Sequence, residues 1–96
     1  MKYTFYVPDY FLACSKSLRK KFRSLEDDVV LSLESFSAEQ SQFLGHSLYK
    51  IRVKSSGISR GKRGGFRLII FVYKVKFTIV LVMVHFKGDK DDISKQ

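Results

Sequence analysis

Two hydrophobic periods divide the chain, and the first of them is helical. Apolar residues recur three or four positions apart on two stretches that are separated near Ser24. The first stripe consists of Phe11, Cys14, Leu18 and Phe22, and the second consists of Leu25, Val29, Leu33 and Phe36. Such stripes predict two helices, each with one apolar face. Because only a residue or two lies between them, we expect a tight helical hairpin.

The period changes to two after Gly45. From Tyr49 onward, apolar and basic side chains alternate strictly, so that Tyr49, Ile51 and Val53 are expected to point to one side of a strand. The positions between and after them are cations: Lys50, Arg52 and Lys54. Burying three unpaired cations is prohibitive, so the apolar side is predicted to face the core.

Three further segments complete a strand pattern. Residues 66–73 and 77–86 are apolar on both faces, which predicts two central strands paired as an antiparallel hairpin around Lys74. Alternation in residues 2–6, ended by Pro8, predicts a short first strand. Residues 37–46 are polar and are predicted to form a loop.

The order of these elements is β-α-α-β-β-β, which defines an α+β protein. We expect a twisted, mainly antiparallel sheet with the helical hairpin packed on one face. A chain of 96 residues is long enough for one domain, so residues 1–96 are predicted to be a single domain with a short polar tail at 87–96.

The cysteine and the apolar runs narrow the class of protein. A single cysteine, Cys14, cannot form an internal disulfide and is predicted to be a buried thiol on the first helix. No cluster of Cys and His has the spacing of a metal site, and no cofactor is indicated. The longest apolar run, at residues 77–86, is about half the length that a membrane-spanning helix needs. A cytoplasmic protein with no membrane partner is therefore expected.

Charge is distributed unevenly along the chain. The formal net charge is +9, but residues 1–39 carry six cations and six acids, and residues 40–88 carry ten cations and no acid. A surface this one-sided attracts polyanions. Nucleic acid is the favoured partner. Excess charge for solubility is the alternative, and an anionic membrane is a lesser one because no basic amphipathic helix carries the charge.

The glycine-rich loop at residues 57–65 does not match a nucleotide-binding loop. Its glycine spacing is one residue short, and Arg63 stands where Ser or Thr binds magnesium. Its cations suit the phosphates of a single-stranded nucleic acid. The alternative is a loop whose charges have no specific partner. The cations of the loop are Arg60, Lys62 and Arg63.

Arg67 is expected to have a specific anionic partner, because it interrupts an apolar strand between Phe66 and Leu68. A guanidinium there can hold a phosphate with two hydrogen bonds. An ion pair with Asp91 or Asp92 of the tail is the alternative. The histidines, His46 and His85, form a second open hypothesis, a two-histidine ribonuclease, which requires both imidazoles beside one phosphate.

The motifs of residues 48–54 and 61–69 resemble those of the RelE/ParE superfamily of bacterial toxins, nearest the HigB-like branch. A strand of the form L-x-K-x-R-x, followed by G-K-x-G-G-x-R and an apolar strand, is typical of that family, and residues 85–93 are similar to the branch's F-x-K-x-E-x-x-x-I ending. The resemblance covers residues 24–94 and implies the same β-α-α-β-β-β fold.

The resemblance also implies a function. Such a protein would be the toxin of a type II toxin–antitoxin pair that cleaves messenger RNA in the ribosomal A site without a metal, by attack of a ribose 2′-OH on the adjacent phosphate. It would be a monomer when alone, or form a heteromeric complex with an antitoxin that is locally acidic and of the helix-turn-helix class. The residues implied in catalysis are Lys50, Arg52, Arg67 and Lys87, and those expected to bind RNA are Lys54, Arg60, Lys62, Arg63 and Tyr73.

Two departures from the family pattern concern the proton donor. Gly88 stands where RelE has a second arginine, and the position of its C-terminal tyrosine falls near Ser94. Lys87 or Tyr73 is therefore expected to supply the acid. Two other hypotheses stay open: a non-cleaving toxin that inhibits a protein such as gyrase, as in the ParE branch, and a plain RNA-binding module.

Overall fold

Five strands and three helices make up the part of the chain that the computed structural model describes, residues 3–54 and 65–86. The strands are β1 (Thr4–Tyr6), β2 (Gln42–Gly45), β3 (Leu48–Val53), β4 (Phe66–Tyr73) and β5 (Thr78–Phe86). The helices are α1 (Asp9–Cys14), α2 (Lys16–Lys21) and α3 (Leu25–Glu34), and 3-10 turns lie at Ala38–Gln40 and Lys74–Lys76.

The strands form a single sheet in the order β1-β5-β4-β3-β2. β1 runs parallel to β5, and the other neighbours are antiparallel. β4 and β5 pair through a short turn and lie inside the sheet, as their apolar character predicted. The predicted α+β class, with a mainly antiparallel sheet, is confirmed.

The core lies between the helices and one face of the sheet. Alternate residues of β3 and β4 are buried there, among them Tyr49, Ile51, Val53, Phe66 and Leu68. From the helices, Phe11 of α1 and Leu25, Val29 and Leu33 of α3 complete this layer. Aromatic rings join the two layers, since Phe22 packs edge-on against Phe66 and Phe36 packs against Tyr49. The prediction that Tyr49, Ile51 and Val53 face the core is therefore confirmed.

The first predicted helix is two helices, because the chain breaks at Ser15. This residue is 1% exposed, and its hydroxyl accepts a hydrogen bond from Arg19 Nε at 3.2 Å. Arg19 Nη2 also donates to the carbonyl oxygen of Leu12 at 2.7 Å. The break turns Cys14 outward, so the prediction of a buried thiol was wrong.

The second correction is an additional strand. The loop predicted at residues 37–46 contains the 3-10 turn and β2, which pairs with β3. β2 did not show in the sequence because its side chains do not alternate: Phe43 and Leu44 are both exposed. A register shift between Phe43 and Gly45 accounts for this, since it places an extra residue opposite β3.

Candidate nucleic-acid interface

The sheet face opposite the helices carries the basic residues of β3. Lys50 is partly buried and Arg52 is exposed, and both alternate with the buried residues of the same strand. Lys54, which follows β3, is exposed as well. The alternation of the sequence therefore places these cations on one open surface, which we call the open face.

A row of three polar side chains crosses the open face. Arg52 of β3 is the direct partner of Arg67 of β4, and Arg67 is the direct partner of His85 of β5. Direct partners on one face of a sheet have Cβ atoms roughly 4.5–5.5 Å apart. We call Arg52, Arg67 and His85 the cationic row.

The position of His85 in this row depends on a bulge. Ile70 of β4 pairs with Leu81 of β5, whereas its neighbour Ile69 pairs with Met83. The register therefore shifts between Ile69 and Ile70 and leaves Val82 as an extra residue on β5. Without the shift, Arg67 would lie opposite Val84. The bulge instead buries Val84 and presents His85 on the open face.

One guanidinium nitrogen of Arg67, Nη1, is buried without a hydrogen bond to any residue that the structure describes. Burial lowers the pKa of the Arg67 guanidinium below its usual value, and the charge of Arg52 lowers this pKa further. An arginine remains a cation at neutral pH, so this site is suited to an incoming anion.

The next row of the open face is partly apolar. Lys50 pairs with Ile69, and Ile69 pairs with Met83, which is 45% exposed. Lys50 therefore lies two residues along β3 from Arg52, on the same face and beside an apolar surface. The phosphate of a nucleotide can contact several cations here while the base or sugar of the same nucleotide contacts Ile69 and Met83.

Two of the sequence candidates are far from the cationic row. Tyr73 lies six residues along β4 from Arg67, which is about 20 Å at the rise of a strand, so it is not placed to donate a proton there. His46 lies in the turn before β3, and Leu48, which follows that turn, is about 13 Å along the strand from Arg52. The two histidines are therefore not side by side, and the two-histidine hypothesis loses its geometric basis.

Several predicted residues lie outside the described part of the chain. These are the loop cations Arg60, Lys62 and Arg63, the tail residue Lys87, and the alternative partners Asp91 and Asp92. Within the described residues, no group of three or more His, Cys, Asp or Glu side chains is placed to hold a metal ion. In the same residues, no helix combines the length and apolar character needed to cross a bilayer.

The fold is similar to the folds of solved protein structures. No family model and no curated protein matches the chain. A free-state variant of the E. coli toxin RelE, in which two arginines are replaced by alanine, is 25% identical with a TM-score of 0.62, over 98% of this chain and 93% of that one. The isolated E. coli RelE toxin is 22% identical with a TM-score of 0.57, over 98% and 93% of the two chains.

A third similar structure is the intact E. coli RelBE toxin–antitoxin complex. It is 24% identical with a TM-score of 0.54, and the match covers 86% of this chain and 94% of that one. The chain therefore has the RelE-like toxin fold. The matches are to RelE and its complex, so the HigB-like branch stays a prediction.

Proposed function

We propose that this protein is the toxin of a toxin–antitoxin pair and that it cleaves messenger RNA on the ribosome. The observation that carries the proposal is the cationic row on the open face of a RelE-like fold. Arg52 and Arg67 adjoin there with no described acid bonded to Arg67 Nη1, which suits a phosphate between them.

The proposed reaction is a transesterification within the RNA. The ribose 2′-oxygen attacks the adjacent phosphorus while the bond from phosphorus to the 5′-oxygen breaks, which leaves a 2′,3′-cyclic phosphate and a 5′-hydroxyl. Negative charge develops on the phosphorane oxygens, and Arg52 and Arg67 stabilise it. One proton must leave the 2′-hydroxyl, and one must reach the 5′-oxygen.

We assign the two proton transfers to residues of the open face. Lys50, which the resemblance to the family implies in catalysis, is the proposed base. His85 is the proposed acid, because it lies beside Arg67 in the row and because histidine ordinarily changes charge between pH 5 and 8. Lys87 follows β5 directly in sequence and is proposed as a further phosphate contact.

The proposed partners follow from charge and from the similar complex. RelE is bound by an antitoxin in the intact RelBE complex, and we propose that this chain also has an antitoxin. Residues 40–88 contain no acid, so the antitoxin surface that covers the open face is expected to be acidic. A helix-turn-helix class for this antitoxin remains a proposal from the family resemblance, as does the cytoplasm as the place of action.

Induced expression in growing bacteria tests the proposal. Wild-type protein is expected to arrest growth and to shorten full-length messages, and Arg67→Ala is expected to do neither while remaining folded, which a cooperative thermal unfolding transition shows. Intact messages at a dose that arrests growth would rule out the nuclease and favour a toxin that inhibits a protein target such as gyrase.

A further inference from the structure

A polar groove opens at the outer edge of β3, next to the cationic row. β2 pairs with β3 only up to Gln42 and Lys50, so no described strand covers the edge of β3 from Ile51 onward. Between this edge and α3 lies a cavity of about 830 Å³. Arg52 and Arg67 belong to the cationic row and also line this cavity, so the cavity is continuous with the open face at the row.

The two walls of this groove differ in chemistry. The wall on the side of the sheet is basic, since Lys50, Arg52, Lys54 and Arg67 line it together with Ile51. The opposite wall, from α3 and the segment that follows it, supplies hydroxyl and amide groups from Ser32, Ser35, Ser37, Gln40, Ser41 and Gln42. Among the described residues that line the groove, the one carboxylate is that of Asp28, which is 5% exposed and accepts a hydrogen bond from the hydroxyl of Ser24 at 3.0 Å.

This combination matches the groups of a nucleotide. Phosphates pair with cations, whereas a ribose hydroxyl and the edge of a base bond with hydroxyl and amide side chains. Phe36 and Leu31 also line the groove and offer apolar surface to the face of a base. An acidic peptide would also pair with the basic wall, and its main chain would bond with hydroxyl and amide groups, but it brings no planar base to the apolar surface of Phe36 and Leu31.

We propose that the groove holds a nucleotide next to the scissile phosphate, so that its hydroxyl and amide wall sets the sequence preference of cleavage. The proposal rests on the proposed function and extends it from the reacting phosphate to the neighbouring nucleotide. The RNA strand that leaves the cationic row passes Arg52 and enters the groove along the uncovered edge of β3. Ser32 and Gln42 are then specificity residues, separate from the cations that promote the reaction.

A steric block in the groove gives the first test. Ser32→Phe fills the groove from α3 and changes none of the cations, and Ser17→Phe is the matched control, since Ser17 is exposed on α2 and does not line the groove. On ribosomes carrying a defined message, Ser32→Phe is expected to lower cleavage by roughly tenfold or more and to change the preferred sites, as expected when the contacts of one nucleotide are lost. Equal thermal midpoints of the two variants show that both remain folded.

Photocrosslinking gives a second test that needs no cleavage. The probe is a short single-stranded RNA with a 2′-deoxy sugar at the scissile position, which blocks the reaction, and 4-thiouridine beside it. Crosslinks are expected in the peptides that contain Ser32, Phe36 or Gln42, and they should be lost in Ser32→Phe and kept in Ser17→Phe.

The outcomes separate this inference from the proposed function. If wild-type protein leaves messages intact, the nuclease proposal fails, and the crosslinks alone decide whether RNA occupies the groove. If wild-type protein cleaves but Ser32→Phe cleaves at the same sites and rate, or the crosslinks lie elsewhere, the groove proposal is overturned. It is also overturned if an acidic peptide, and not the RNA probe, protects the main-chain amides of Arg52 and Lys54, which alternate with the amides bonded to β4, from hydrogen exchange.

Discussion

Arg52 and Arg67 are two cations placed directly opposite each other on neighbouring strands, an arrangement that destabilises a sheet. Because the folded state lowers the pKa of Arg67, it disfavours the charged guanidinium relative to the unfolded chain at every pH below that pKa, and so throughout the neutral range. A binding site for an anion is expected to carry such a cost when it is empty.

Arg52→Gln should therefore stabilise the protein while it impairs function. Removal of the repulsion is expected to raise the free energy of unfolding by about 0.2–1 kcal/mol, since that is the size of a cross-strand charge interaction. Urea unfolding at low ionic strength measures the gain, and salt should reduce it. Lys16→Gln, which removes an exposed cation of α2, is the control, and an equal gain in the control would contradict repulsion within the row.

His85 gives a second prediction at this scale. If its protonated imidazole donates to the 5′-oxygen, the single-turnover cleavage rate falls as pH rises through the range in which histidine loses its proton. His85→Gln should remove this falling limb and lower the rate at low pH by roughly 10²–10⁴-fold. His46→Gln, which is distant from the row, should keep the fall in rate with rising pH. If His85→Gln also keeps this fall in rate, another group donates the proton.

Some features of the candidate site could be predicted from the sequence alone, and others could not. The alternation of Lys50 and Arg52 with apolar neighbours was sufficient to predict the open face, because charge cannot be buried without a partner. The pairing of Arg67 with His85 was not predictable, since it depends on the bulge at Val82, and apolar residues on both sides of that position fit either register. Cys14 was misassigned because the stripe of the first helix gives no sign of the break at Ser15.

At the scale of elements, the entry into β4 fixes the position of Arg67. Gly65 has φ of +108°, and a Cβ atom there would lie 2.9 Å from the main-chain oxygen of Val53. The end of β3 and the start of β4 therefore approach closely through this glycine, two residues before the guanidinium.

Gly65→Ala is expected to destabilise the protein by roughly 1–3 kcal/mol, from a strained backbone and a contact that must relax. Gly45→Ala is the matched control, because Gly45 has φ of +94° but nothing within 4 Å of the added Cβ. The difference between their denaturant midpoints isolates the contact with β3. Equal losses would show that this close approach contributes nothing to stability.

The predicted elements differ from the observed ones where the sequence pattern is short or irregular. The long apolar strands β4 and β5 were predicted within a residue of their bounds, since their length and their β-branched and aromatic residues favour strands. β2 was missed because four residues with two exposed apolar side chains resemble a loop. The groove at the edge of β3 could not be predicted for the same reason, since it begins where β2 ends.

At the scale of the whole molecule, the charge distribution predicts a salt dependence. For a single-stranded RNA, the slope of log K against log salt is about −0.7 for each phosphate neutralised. Arg67→Ala should reduce the magnitude of this slope by about 0.7, and Lys16→Gln should leave it unchanged. Fluorescence anisotropy with a labelled oligonucleotide measures both slopes, and an unchanged slope for Arg67→Ala would contradict a phosphate contact at that residue.

The most direct measurement is cleavage of a defined message on purified ribosomes, with the ends of the products identified. Wild-type protein should cut within the A site and leave a 2′,3′-cyclic phosphate and a 5′-hydroxyl, and Arg67→Ala should be slower by roughly 10²–10³-fold, the usual loss when one group that stabilises transition-state charge is removed. A message that stays intact with folded wild-type protein, or that is cut equally well by Arg67→Ala, would contradict the proposed nuclease.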